Sequence, residues 1–239
     1  MDLNFEERAV AFIDILGFKN IVNLAASDSR KQNELGKLIS LLSNAVPQLN
    51  LMLHINVPKE IIPEYIYISD CIILSTPLLS KERGNHRGLS ILVMRVIQIA
   101  NLMRSNGYLI RGGISVGQVW HSESNIVGPA YQEAYKIETE TVVPRVGLSS
   151  AAREIWIKTE GHGNSMCLDY KGCFMVNLLH DYYIRKSSPL PLGQILNDCR
   201  KMIESNLKLE FEDHVRYKWW WFMEYLEWEV DRNNFMVAE

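Results

Sequence analysis

The stretch Ala9-Val10-Ala11-Phe12-Ile13-Asp14-Ile15-Leu16-Gly17-Phe18 decides the fold. Up to Gly17 it is apolar except for one aspartate, and a short run of this kind reads as a buried strand over 9–16. Gly17 ends the strand, and residues 18–26 open a helix. A carboxylate inside such a run is costly to bury without a partner. No basic residue sits nearby on the strand, so the simplest partner is a bound cation. A second acid has similar surroundings: Asp70, in Tyr65-Ile66-Tyr67-Ile68-Ser69-Asp70-Cys71-Ile72-Ile73-Leu74. Two acids on separate strands, each framed by apolar residues, suggest a two-metal site.

The rest of the chain builds outward from this strand. A helix over 31–51 puts Leu35, Leu38, Leu42, Ala45 and Leu49 on one face, with Pro47 near its end. Strands follow at 62–68 and 71–76, separated only by Ser69 and Asp70, which places Asp70 in a tight hairpin turn. A helix over 87–105 ends at Asn106-Gly107. The strand 108–120 carries Arg111-Gly112-Gly113-Ile114-Ser115-Val116-Gly117, and its glycines signal close backbone approach to another element or a ligand. A helix starts near Pro129. Then come a strand at 144–149, a helix at 150–158, and a strand pair at 165–170 and 173–178 around Lys171-Gly172. Arg185-Lys186-Ser187-Ser188-Pro189-Leu190-Pro191 reads as a linker, followed by helices near 192–209 and 212–230. The order predicts an α+β sandwich, a mainly antiparallel sheet covered by helices.

Composition narrows the function. The chain has 239 residues, 47% hydrophobic and 22% charged, which is ordinary globular composition. Its formal net charge of -3 leaves no basic footprint for nucleic acid. Cys71, Cys167, Cys173 and Cys199 lack metal-finger spacing and read as reduced thiols. The histidines show no zinc-binding spacing. The acidic start Met1-Asp2-Leu3-Asn4-Phe5-Glu6-Glu7 is unlike a signal peptide, and no apolar stretch is long enough to span a bilayer. A soluble cytoplasmic protein, with no nucleic acid or membrane as partner, is the expectation.

The strand Phe12-Ile13-Asp14-Ile15-Leu16-Gly17-Phe18, the turn Ser69-Asp70, the segment Arg111-Gly112-Gly113-Ile114-Ser115-Val116-Gly117 and the segment Val127-Gly128-Pro129-Ala130-Tyr131-Gln132-Glu133-Ala134-Tyr135-Lys136-Ile137-Glu138 occur in this order. The series resembles the class III nucleotidyl cyclases, most of all the stand-alone bacterial pyrimidine cyclases of the Pycsar anti-phage systems. The resemblance covers roughly residues 8 to 180. It implies a cyclase-like sandwich of the ferredoxin-like or palm type, with a catalytic domain over 1–185 and a C-terminal helical extension over 186–239. Asp14 and Asp70, with the Ile15 carbonyl, would hold two divalent ions, Mg²⁺ or Mn²⁺. Free N–H groups at the Gly17-Phe18 helix start would bind the triphosphate. Lys171 matches a phosphate-binding lysine of the family. Gln132 and Lys136 fall where classical cyclases carry an asparagine and an arginine that stabilise the transition state. Lysine lacks the bidentate fork of arginine, so Lys136, Arg111 or Arg145 would supply that charge. A homodimer with active sites at the interface is also implied, and an effector that senses the cyclic product follows indirectly.

The base-reading positions point away from purines. Where purine cyclases carry a lysine or glutamate, this chain has Ile66, and the partner position is Asn125. Tyr67 matches the aromatic of the Tyr-x-Ser-Asp pattern of pyrimidine cyclases, and an aromatic there could narrow the pocket and stack on the smaller ring. UTP, before CTP, is the expected substrate. Plainer readings stand beside these. Asp14 could be a structural acid, Asp70 an ordinary turn residue, Arg111 the cap of a sheet edge, Lys136 and Lys171 surface charges, and Tyr67 strand packing. The cluster Lys218-Trp219-Trp220-Trp221-Phe222 carries acids on its flanks, which disfavours lipid or phosphate and predicts a helix packed on the core or on a second subunit. Two other classes remain open: a non-catalytic nucleotide-binding module of the same fold, and a palm-like polymerase, against which the missing basic groove argues.

Overall fold

The computed structural model describes residues 3–52, 57–80, 87–209 and 212–233. Strand β1 (Glu6–Ile15) lies at the centre of a sheet ordered β2-β3-β1-β4-β6-β8-β7. The other strands are β2 (Glu64–Ile68), β3 (Cys71–Pro77), β4 (Ile110–His121), β6 (Val146–Leu148), β7 (Cys167–Tyr170) and β8 (Cys173–Val176). A two-residue β5 (Ile126–Val127) pairs with the far end of β4. Every pair is antiparallel except β4 with β6. The α+β architecture expected from the element order is therefore the observed one.

Both faces of β1 are covered, which is why the run is apolar without alternation. Ala9, Ala11 and Ile13 enter the large core, together with helix α4 (Gly88–Ser105). Val10 and Phe12 enter a smaller core with Ala130 and Ala134 of helix α5 (Pro129–Glu140). Side chains alternate along a strand, so Asp14 belongs to the face that α5 covers.

Gly113 sets how close α5 comes. A Cβ there would lie 2.4 Å from the Ala134 carbonyl oxygen and 2.6 Å from the Ile137 Cβ. Neither is the tip of a flexible chain. Gly113 is thus explained by helix–sheet contact and Gly112 by strand β1, where a Cβ would lie 2.4 Å from the Phe12 carbonyl oxygen; both are close approaches to another element, one of the two readings the sequence allows.

The expected helix over 31–51 differs in detail. After α1 (Phe18–Ala25), α2 spans Ser29–Ser40 and is capped by the Asp28 side chain, which accepts from the Arg30 N–H. The chain then widens into a π-turn at Leu41–Ala45, tightens through the short α3 (Val46–Gln48), and ends in a 3₁₀ turn at Leu49–Met52. Pro47 has no N–H to donate and its ring crowds the preceding turn, so a regular α-helix cannot run through it.

The expected linker over 185–191 is partly helical. Helix α7 spans Asp181–Ser187, held by the buried Ile184. Arg185 and Lys186 lie in its last turn, where cations suit the helix dipole. Their polarity is what made the segment look like a connection. Helices α6 (Ser150–Glu160), α8 (Leu192–Leu207) and α9 (Asp213–Arg232) complete the chain. Ile195, Leu196, Ile203, Trp221, Phe222, Tyr225 and Leu226 join the same core as β1. Trp221 and Phe222 of the Trp-rich segment are therefore packed on the core, while Trp220 is exposed. Tyr170 meets the rings of Trp221, Tyr225 and Trp228 at 5.0–5.5 Å. The fully buried Tyr225 hydroxyl donates to Asn177 Oδ1 at 2.7 Å, and Asn177 Nδ2 donates to Glu229 at 2.9 Å. Among the described residues no helix is long and apolar enough to cross a membrane.

Candidate metal centre

Asp14 and Asp70 converge. The register sets Asp14 opposite Cys71, and Ser69-Asp70 forms the turn between β2 and β3, with Ser69 at a left-handed φ of 60°. One ligand atom from each of Asp14, Asp70 and Cys71 lies within 4.8 Å of the others. Ile15 is the next residue on β1 and is buried. Gly17, at φ 83°, turns the chain into α1, and no side chain caps that helix start. The Leu16 N–H is already used by the Leu109 carbonyl, at 2.9 Å.

The first partner of Asp14 is a cation of the protein itself. Arg111, on β4, is its register partner, and its Nε donates to Asp14 Oδ2 at 2.9 Å. The simplest partner expected from the strand alone is a bound cation; the structure supplies a guanidinium first. The reading looked along one strand, whereas the counter-charge comes from the next. Arg111 also lies 2.8 Å from Glu138 Oε1 on α5 and donates to the Thr141 carbonyl at 2.8 Å. The Glu138 contact is an ion pair by distance, although Oε1 receives no well-aligned hydrogen bond. Two acids share one guanidinium, so Arg111 does not neutralise the cluster.

That shortage of charge marks the pair of aspartates. Burial pushes the Asp14 carboxyl up to about 7, the neighbouring Asp70 adds to the rise, and Arg111 opposes it. Burial also raises Glu138, again against the pull of Arg111. A bound cation would act against both rises, since it favours the ionised carboxylates. The donor set suits a hard divalent ion, which prefers carboxylate and carbonyl oxygens. Cys71 fits it poorly. Burial and the adjacent Asp70 push its thiol up to about 12, so it is protonated, and it points at Asp70 Oδ1 from 3.9 Å.

A pH dependence follows without metal. Asp14 binds its proton more tightly folded than unfolded, so its contribution is complete below about pH 4 and is lost as pH rises through about 7. In EDTA, Asp14→Asn should melt with the wild type at pH 4 and well above it at pH 8. The gain should be on the order of 2–4 kcal/mol, since one pKa unit is ~1.4 kcal/mol. Comparing the two proteins cancels His121 and His180, which burial lowers and which act in the opposite sense. An Asn variant that is less stable at pH 8 would contradict the assignment.

The other expected site residues lie elsewhere in the chain. Tyr67 pairs with Ile72, which belongs to the large core, so it points to the sheet face opposite Asp14. There it stacks on Tyr65 with centroids 6.0 Å apart. Gln132 and Lys136 are on the exposed side of α5, and Lys136 lies 3.8 Å from Glu140. Asn125 is exposed in the β4–β5 turn, at the end of β4 away from Arg111. Lys171 occupies the β7–β8 turn, where it and Gly172 both take positive φ, and it pairs with Glu224 at 2.6 Å. The Gly112 N–H bonds the Arg145 carbonyl and Gly147 faces Met175, so Asn177 lies level with Arg111 and the Lys171 turn is at the other end. One chain thus gathers Asp14, Asp70, Ile15, Gly17 and Arg111, and leaves Gln132, Lys136, Asn125, Tyr67 and Lys171 apart from them.

Glu138 and Cys71 were missed by sequence reasoning. Glu138 was within reach of it: Ala130, Ala134 and Glu138 recur every four residues on the buried stripe of α5. An acid on such a stripe needs a partner, as Asp14 does.

No protein-family model matches this chain, and no curated protein matches it. Solved structures do. The catalytic core of a rhodopsin-guanylyl cyclase with converted specificity, in complex with ATPαS, aligns with a TM-score of 0.50 and 16% identity, over 72% of this chain and 96% of that one. The monomeric guanylyl cyclase domain of the RhoGC fusion protein from the aquatic fungus Blastocladiella emersonii aligns at 0.47 and 17% identity, over 72% and 95%. An adenylate/guanylate cyclase/hydrolase from Silicibacter pomeroyi aligns at 0.44 and 14% identity, over 72% and 96%. Only the first reaches a level at which fold is shared, and at its identity fold is what it shows. The chain has the fold of a class III cyclase domain, with the helix α9 near its C-terminal end.

Proposed function

We propose that this protein is a nucleotidyl cyclase that converts UTP to its 3′,5′-cyclic nucleotide and pyrophosphate. The observation that carries the reading is the convergence of Asp14 and Asp70 beside the uncapped start of α1, on a cyclase fold. Asp14, Asp70 and the Ile15 carbonyl would hold two divalent ions. When bound, such ions lower the pKa of the ribose 3′-hydroxyl and neutralise charge on the polyphosphate. The protein groups do the rest. The first N–H groups of α1 face the phosphates. Arg111 holds Asp14 in place through Nε while Glu138 and the Thr141 carbonyl hold Arg111. Core packing keeps this end of the sheet rigid, which in-line attack requires.

The separation of the remaining residues favours a two-chain site. Gln132, Lys136, Asn125 and Lys171 are surface residues away from Asp14, and a homodimer would let one chain's set meet the other's metal acids. Lys171 would then exchange Glu224 for phosphate. We assign pyrimidines over purines on Ile66, which pairs with Ile73 on the Asp14 face of the sheet and offers no side-chain hydrogen bond to a purine edge, and keep UTP before CTP from the family resemblance; Tyr67, on the opposite face, takes no part in this assignment. A cyclic pyrimidine nucleotide would serve as a second messenger to an effector in anti-phage defence. The domain division at 185/186 remains part of this proposal.

Purified protein given each of the four triphosphates with Mn²⁺ should convert UTP fastest. Faster conversion of ATP or GTP would replace this reading with a purine cyclase. No conversion of any would favour the nucleotide-binding module, which the exposed Gln132 and the Lys136–Glu140 pair make the second reading.

A further inference from the structure

Helix α9 brings a cation to the metal-acid end of the sheet. Phe222 lines a small crevice with Leu109, Ile110 and Pro144. Ile110 precedes Arg111, and the Leu109 carbonyl holds the Leu16 N–H just beyond Asp14. Lys218 is one helical turn before Phe222, so it shares that face of α9. It is half-buried and has no hydrogen-bond or ion-pair partner among the described residues.

We propose that Lys218 binds the polyphosphate of the substrate in cis, making the C-terminal helix a part of the nucleotide site. Two properties support this. First, the ammonium lies in the fields of both Arg111 and Asp14: burial and Arg111 lower its pKa, and Asp14 opposes them. Second, the neighbouring cation Arg111 is already held by Asp14 and Glu138, which leaves Lys218 as the cation at this end without a carboxylate of its own among the described residues. A half-buried cation beside another cation gains most from an added anion, and a polyphosphate is the anion that the proposed reaction brings. Nothing in the sequence around Lys218 signals this role. Only the packing of α9 places it.

The inference rests on the nucleotide reading, and two readouts separate the two. Calorimetry with inorganic tripolyphosphate in Mg²⁺ should show binding about tenfold weaker for Lys218→Met than for wild type, the usual scale of one lost charge-assisted hydrogen bond. Lys218→Arg should restore most of it. Lys201→Met, on the exposed side of α8, removes the same charge and should change nothing. With UTP, Lys218→Met should raise KM more than it lowers kcat. If Lys218→Met matches wild type in tripolyphosphate affinity and in KM while UTP is converted, the role of Lys218 is wrong and the cyclase reading stands. If wild type binds tripolyphosphate through Lys218 and converts no nucleotide, the reverse holds. Absence of tripolyphosphate binding to wild type overturns the proposal outright.

Discussion

Asp14→Ala should lower turnover at saturating Mn²⁺ by a factor of at least ~10³. Metal activation is worth several kcal/mol of barrier, and each ~1.4 kcal/mol is tenfold. The loss should not come from unfolding. Arg111 keeps Glu138 and the Thr141 carbonyl when Asp14 is removed, so no buried charge is stranded. Circular dichroism should match wild type. Mn²⁺ should raise the melting temperature of wild type and leave the variant unmoved, because a ligand stabilises only the state that binds it. Asp70→Ala should behave alike, with a smaller change in stability without metal, since Asp70 lies in an accessible turn. Activity within tenfold of wild type, with the Mn²⁺ shift intact, would return Asp14 to a structural acid paired with Arg111.

Gly113→Ala should be the most damaging single methyl group near the site. The added Cβ would meet a backbone carbonyl at 2.4 Å, so relief requires α5 to move off the sheet. Overpacking of this kind costs about 1–3 kcal/mol and sometimes more. For a chain of this size that is a fall of roughly 2–12 °C in melting temperature. Activity should fall further than stability, because α5 carries Glu138 and so sets the geometry of Arg111. Gly36→Ala is the contrast. That glycine is exposed inside α2 with nothing within 4 Å, and alanine there should stabilise by up to ~1 kcal/mol. Equal melting temperatures for Gly113→Ala and wild type would show that α5 yields easily.

Much of this was legible in the sequence because it depends on short-range pattern. The run around Asp14 specifies a central strand, since an unalternating apolar segment must be covered on both faces. The Ser69-Asp70 spacing specifies a hairpin, since two residues suffice to reverse antiparallel strands. Gly112 and Gly113 announce a close approach. The errors arose where one signal has two causes. Polar residues of a helical last turn and those of a linker look alike, so Arg185–Ser187 of α7 read as part of a connection. Pro47 marked trouble in a helix, but not the π-turn that precedes it.

The sequence by itself determined the sheet, its helices, and the two aspartates that meet on it, because strand periodicity and turn length are local properties of the chain. Only the tertiary structure decided what surrounds Asp14. Its partner Arg111, the Glu138 that shares that guanidinium and the neighbouring Lys218 are 97, 124 and 204 residues away along the chain, and no local pattern encodes so distant a neighbour. Strand register brought the first, the depth of α5 against Gly113 the second, and the packing of α9 the third. Charge acts through space, so the electrostatics of the site belong to the fold.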